Sequence, residues 1–300
     1  MANDERRGLR GSPLTQRAPD SALSWLAEAS DDHGVLGLRI GVRGEERIAE
    51  WPNIATLTTA RDGSAPRWSV SPDASPRALE RVQHEVGRAL IHHARGGFAL
   101  HASCVAWDER AIAFVGESGA GKSTLAAYLT EHGAELCADD ATCIEVGGDG
   151  YRVLPGASPT HALDDAARTL VATARHAGLI DARGVETAKT IAAPRARSTG
   201  TPMLAAICVL RWSEDEAPRL DALHGVSSVA DIVRHVLRFA LDDASRLADE
   251  LDTLETIARA GLVVELVRAR AFEQLPACAN LVQARVATCR ILHRTSRGPT

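Results

Sequence analysis

An α/β fold, preceded by a small antiparallel β-rich segment, is predicted by three features of the chain. The apolar run Ala111-Ile112-Ala113-Phe114-Val115 leads into the glycine-rich stretch Gly116-Glu117-Ser118-Gly119-Ala120-Gly121-Lys122-Ser123-Thr124, and Leu125 to His132 follows as a helical pattern closed at Gly133. A second apolar run, Ala134 to Ala138, comes directly after that helix, as the next strand of a parallel α/β unit would. Between Val35 and Val70 the pattern is instead one of short strand-like runs separated by glycine-containing turns.

The composition suits such a fold. Three hundred residues suffice for one large domain or a domain with an appendage. With 45% hydrophobic and 24% charged residues, the chain has the apolar mass for a core. A net charge of −5 draws it neither to nucleic acid nor to an anionic membrane, and charges interrupt every apolar run well before the roughly 20 residues of a membrane span. Met1 to Ser21 is polar and arginine-rich without an apolar h-region, so a cytoplasmic protein without a secretory signal is expected. The cysteines, Cys104, Cys137, Cys143, Cys208, Cys278 and Cys289, show no Cys-x-x-Cys spacing, and several lie in apolar runs. Buried reduced thiols are expected, not a zinc site or a disulfide framework.

Taken in order, residues 1–22 are rich in Arg, Gly, Pro and Ser and are expected to be disordered. Ser24 to Ala27 is expected to begin a short helix. Val35 to Ile40, Arg47 to Trp51 and Ala55 to Thr59 then read as an antiparallel meander. Ser75-Pro76 opens a helix with serine as N-cap and proline in the first turn; Leu79, Val82, Val86, Ala89 and Leu90 form its apolar stripe, and Gly96-Gly97 ends it. His92 and His93, in its last turn, are expected to face the negative end of the helix dipole. Phe98 to Val105 and Ala111 to Val115 read as two strands about a turn at Trp107 to Arg110. If they pair as a hairpin, residues whose numbers sum to 217 face each other, which sets His101 opposite Gly116; a hydrogen-bonded core histidine is the competing reading. Ala141 to Val146 and Tyr151 to Leu154 form a second hairpin. A helix is expected from about Leu163 to His176, a basic loop over 179–202 with Lys189, Arg195 and Arg197, a strand from Met203 to Trp212, helices from Ser228 to Ala240 and from Ala244 to Ala260, a strand from Leu262 to Val267, and a last helix from Phe272 to Ala287 before a frayed tail. The basic loop is read equally as a grip for phosphate or an acidic substrate and as a solvated segment.

The stretch Gly116 to Thr124 fits Gly, four residues, Gly-Lys-Ser, a phosphate-binding pattern, in the strand–loop–helix context it requires. Glycines let consecutive N–H groups converge on one concavity, and the helix N-terminus adds its dipole. Lys122 is placed to reach β- and γ-phosphates and Ser123 to bind Mg²⁺. Of the 34 Lys and Arg residues only Lys122 and Lys189 are lysine, and lysine suits a place where a slim point charge fits and a planar guanidinium does not. The strand Ala134 to Ala138 is expected to end on the edge that carries the loop, delivering Asp139 and Asp140 where Mg²⁺ and a hydroxyl nucleophile would lie. Neighbouring residues on an extended chain point in opposite directions, so the two carboxylates are expected to have different tasks.

Leu100-His101-Ala102-Ser103, Gly116 to Thr124 and Leu136-Cys137-Ala138-Asp139-Asp140 together resemble the HPr kinase/phosphorylase family and its shorter relatives, among them kinases of ribosomally made peptides such as lasso-peptide precursors. The resemblance is strong over residues 97–156 and weaker over 203–223 and 262–276. It implies the phosphate-loop kinase core shared with phosphoenolpyruvate carboxykinase, a mixed sheet with flanking helices. The division expected of the chain is a disordered N-terminus over 1–22, a meander plus helix over 23–96, the kinase domain over 97–288 and a tail over 289–300. The activity implied is transfer of the ATP γ-phosphoryl group to a serine of a protein or peptide, with ATP and Mg²⁺ required. Asp139 would be the general base, Asp140 and Ser123 would lie at the metal, and His101 would lie near the phosphates. Two departures, Ala102 where the family has glycine and only Arg183-Gly184 as an echo of its later signature, argue against HPr itself as substrate and against phosphorylase activity. A small-molecule kinase and a non-catalytic ATP-binding switch remain open, as does a homo-oligomer.

Overall fold

The structure, a computed structural model, describes residues 22–30, 36–148, 150–156, 161–164, 174–176, 179–180, 186–187, 189–192, 196–214 and 217–295. The expected disorder over most of 1–22 and the Arg183-Gly184 pair lie outside these residues.

The chain opens with five strands: β1 (Ser24–Ser30), β2 (Leu36–Arg43), β3 (Glu46–Trp51), β4 (Ala55–Ala60) and β5 (Arg67–Val70). They pair in chain order and antiparallel throughout, the meander that the alternation predicts. Ser24 to Ala27 is strand, not the start of a helix. Trp25 pairs with Gly41, which lacks the side chain that would collide with the indole. Pairing along a neighbouring strand outweighs the weak helical preference of so short a stretch. One face of the sheet buries Ile40, Ala49, Trp51 and Leu57 against Val82, Leu90 and Ala94. Those residues come from α1 (Pro76–Val82) and α2 (Arg88–Ala94), which a wide π-helical turn at Gln83–Gly87 separates. Ser75 caps α1 as expected, its hydroxyl accepting from Ala78 N at 3.1 Å. His92 and His93 form tertiary contacts beyond the expected dipole contact. His93 is fully buried, and its Nδ1 accepts from the Phe239 N–H at 3.2 Å; the proton is therefore on Nε2, which donates to Glu250 at 3.2 Å.

The second part of the chain contains β6 (Phe98–Leu100), β7 (Ser103–Trp107), β8 (Arg110–Val115), α3 (Lys122–Glu131), β9 (Glu135–Ala138), β10 (Thr142–Gly147) and β11 (Gly150–Val153). The short strands β12 (His161–Asp164), β13 (Ala174–His176), β14 (Leu179–Ile180), β15 (Glu186–Thr187) and β16 (Lys189–Ala192) follow. The helix expected over Leu163 to His176 is thus strand at both ends; its middle lies outside the described residues. Next come β17 (Met203–Trp212), β18 (Arg219–Ala222), α4 (Val226–Val233), α5 (Ala244–Arg259), β19 (Val263–Arg268) and α6 (Leu275–Thr295). Helix α6 continues through Arg290 to Thr295, into the stretch expected to be a tail. Helix α4 stops well short of Ala240, because Leu237 N donates to Ala99 O at 2.9 Å and His101 N to His235 O at 2.7 Å. These bonds draw residues 235–237 along the outer edge of β6 and cover it.

The large sheet is mixed, in the order β6-β10-β11-β17-β8-β7-β9, with β19 also on β17 and β18 on β19. Strands β8, β17 and β19 are parallel; the other pairings are antiparallel. Alternation along β8 serves two cores. Ala111, Ala113 and Val115 pack with Ile232, Leu254 and Ile257 of α4 and α5, whereas Ile112 and Phe114 pack with Leu125 and Leu129 of α3 and Val282 and Val286 of α6. Helices therefore cover both faces.

Sheet closure positions the site. Strands β6 and β7 are five places apart in the sheet, yet His101 and Ala102 alone connect them. Two linking residues span on the order of 10 Å, so the sheet must curl until its ends meet. A second short connection, Asp139 to Ala141, crosses the same seam from β9 to β10. The Thr142 hydroxyl stitches the two crossings by donating to Ala102 O at 3.0 Å. Among the described residues no helix is long and apolar enough to cross a membrane. All six cysteines are free and buried.

Candidate functional site

Strand β8 delivers the chain to Gly116, and the loop turns through positive φ at Gly116, Gly119 and Gly121 before α3 begins at Lys122. Lys122 is almost wholly buried, and its ammonium bends back to donate to Gly116 O at 2.8 Å and Glu117 O at 3.2 Å. The charge thus lies across the mouth of its own loop. Within the loop Ala120 N donates to Glu117 O at 3.1 Å, and Glu117 is exposed. Ser123 is the second residue of α3 and donates through Oγ to Asp139 Oδ1 at 3.1 Å. Thr124 follows it, half-buried.

Strand β9 runs in the direction of β8, because two antiparallel steps through β7 restore it. Asp139 and Asp140 therefore reach the edge that carries the loop, as the apolar pattern predicts. Their side chains do diverge. Asp139 is buried and accepts from both Ser123 and Ser103 on one oxygen. Asp140 turns to Arg81 of α1, which donates to its carboxylate and also pairs with Glu85. Burial pushes the Asp140 carboxyl up, but the Arg81 guanidinium outweighs it, leaving the group at about 2. The backbone of Asp140 is left-handed, at φ 64°. Among non-glycine residues Asp and Asn adopt that conformation most readily. Asp139 is thus the carboxylate hydrogen-bonded to Ser123, and Asp140 the one paired with Arg81.

His101 does lie at the site, by a route other than the predicted one. The 217 register holds from Ser103–Phe114 to Trp107–Arg110, but the ladder begins at Ser103, and Leu100 pairs with Thr142 of β10 instead. The crossing at the seam places His101, and its Nδ1 donates to Asp140 O at 2.9 Å. Burial first, then the nearby Lys122 charge, lowers its pKa, so the ring is neutral near pH 7 and presents an Nε2 lone pair.

The structure adds Ser103, Arg81 and His235 to the surroundings of the acidic pair and Lys122. Ser103 sits inside a strand pattern with no polar partner in view, and Arg81 is one arginine of an exposed helical face. His235 follows a helix whose end tertiary pairing decides. His235 is buried, and burial, followed by the charge of Lys122, takes its pKa down to about 4. In the unfolded chain a histidine titrates near 6.5. Between these values the unfolded state binds more protons, so stability is lost as pH falls from about 6.5 toward 4. We expect His235→Gln to flatten the melting-temperature profile in that window; an unchanged slope would remove His235 as its source. In the basic stretch Arg197 donates to Gly156 O at 3.0 Å, and residues 196–198 line the outer edge of β9. Arg195 and the Lys189 side chain lie outside the described residues.

No family model matches the chain, and no curated protein matches it. Among solved structures, the HPr(Ser) kinase/phosphatase from Coxiella burnetii matches over 64% of this chain and 98% of its own, at 11% identity and a TM-score of 0.32. The likeness is a distant structural relationship only.

Proposed function

We propose that this protein is an ATP-dependent kinase that transfers the γ-phosphoryl group to a serine hydroxyl of a protein or peptide. The observation that carries the reading is the Ser123–Asp139 hydrogen bond at the mouth of a glycine loop whose lysine lies across it. A loop with three left-handed glycines at a helix N-terminus suits the phosphates. Mg²⁺ typically takes one or two protein ligands and completes its shell with phosphate oxygens and water. Ser123 and Asp139 offer that number, and no group of three or more His, Cys, Asp or Glu stands together among the described residues. The ion would neutralise charge on the transferring group. Asp139 already accepts hydrogen bonds from two hydroxyls, as a residue that orients and deprotonates a serine must. Asp140, held near 2 by Arg81, is a weak base and is assigned to positioning. The serine acceptor rests on the resemblance of the His101, glycine-loop and acidic-pair stretches to peptide and protein serine kinases.

The test is incubation with γ-labelled ATP and Mg²⁺ against a serine peptide library and, separately, a panel of hydroxylated metabolites. Label on peptide serine is the expected result. Label on metabolites alone would make this a small-molecule kinase, and nucleotide binding without transfer would make it a switch.

A further inference from the structure

Two arginines are almost fully buried among the described residues, Arg47 at 1% exposure and Arg268 at 4%. Arg47 has a carboxylate, Asp242. Arg268 has none within ion-pair distance among the described residues; its Nη2 donates to Ala120 O at 2.9 Å, and its Nε is buried without a hydrogen-bond partner. Such a charge ordinarily demands a counter-ion.

Its position shows where one would come from. Trp212 and Arg268 are the last pair of the parallel β17–β19 ladder, so their side chains leave the sheet on one face. The guanidinium stacks on the indole at 4.3 Å, and Arg270 lies 5.0 Å from the same ring. This end of the sheet is the carboxyl edge from which β8 enters the glycine loop. Arg268 presses on the loop itself: a β-carbon on Gly121 would stand 2.7 Å from its Nη2. The carbonyl it binds belongs to the Ala120–Gly121 peptide, whose N–H is that of Gly121. Donation to the oxygen polarises the unit and strengthens that N–H as a donor.

We propose that Arg268 is a positioning residue for the phosphates of a nucleotide: it braces the Ala120–Gly121 peptide from behind, and its buried charge is balanced when an anionic phosphate chain fills the loop. The proposal rests on the nucleotide reading given above. Trp212 holds the guanidinium flat against the loop by a cation–π contact.

Wild type, Arg268→Met and Arg268→Lys are compared by calorimetric titration with Mg·ADP and with pyrophosphate, and by thermal melting without ligand. Arg268→Met is expected to melt no lower than wild type, because an unbalanced buried charge has been removed. It is expected to bind both ligands about 10-fold or more weakly per folded molecule. Arg268→Lys is expected to recover part of the affinity, since it restores charge without the planar fork. Should Arg268→Met not fold, Arg268→Gln, which keeps a donor for Ala120 O, is read on the same affinities. A dissociation constant within about threefold of wild type in the uncharged variant overturns the proposal, whatever its melting temperature. A wild type that binds neither ligand overturns instead the nucleotide reading beneath it.

Discussion

Lys122→Ala is expected to lower phosphoryl transfer by about 10²–10³-fold, the scale of losing one preorganised donor to transition-state charge. The ammonium is buried and held at the mouth of the loop by Gly116 O and Glu117 O. Charge acting in such a water-poor site is worth more than at the surface. Lys122→Arg is not expected to rescue, because a planar fork does not fit where a slim stem passes under the loop. Lys122→Met retains the stem and separates loss of charge from loss of packing. Single-turnover transfer and Mg·ADP affinity, measured beside the melting temperature, decide the matter. Normal transfer by a folded Lys122→Ala protein would end the kinase reading.

Asp139→Asn should cost transfer about 10²-fold or more, because it removes the proton acceptor while keeping the shape. It should also raise the Mg²⁺ requirement, since the same carboxylate stands beside Ser123. Asp140→Asn loses the charge that faces Arg81 and is expected to affect transfer by less than about tenfold, in proportion to how far the seam loosens. A Mg²⁺ titration of single-turnover transfer in both variants tests the division. If Asp140→Asn alone shifts the Mg²⁺ requirement and Asp139→Asn alone loses the chemical step, then the carboxylates are split between base and metal as the family resemblance implies, and the concentration of both duties on Asp139 is refuted. Unimpaired transfer in both variants would refute a role for the pair.

Local pattern determined a large part of this molecule. Apolar runs with the right neighbours specify β8, α3, β9, β17 and α5, because each element buries one face and its period is written in the chain. The glycine loop is equally local: its conformation depends on residues within a few positions of one another. Asp139 and Asp140 were legible as well, since a strand that follows a helix in an α/β unit returns to the same edge.

Contacts between distant residues decided the rest. Strand β1 forms because Gly41 gives Trp25 room, and α4 ends early because residues 235–237 pair along β6. The chain leaves the predicted hairpin at His101 because the sheet curls and its ends meet, and two crossings of that seam, near residues 101 and 140 in the chain, bring His101 to Asp140. Arg81 reaches Asp140 from a separate sheet-and-helix layer, and Arg268 reaches Gly121 from a strand 148 residues beyond Ala120. No period or motif encodes these meetings, because closure of the sheet is a property of the whole strand order. The residue types of the candidate site were therefore readable in one dimension. The carboxylate beside Ser123, and the arginine behind the loop, were settled only when the sheet closed.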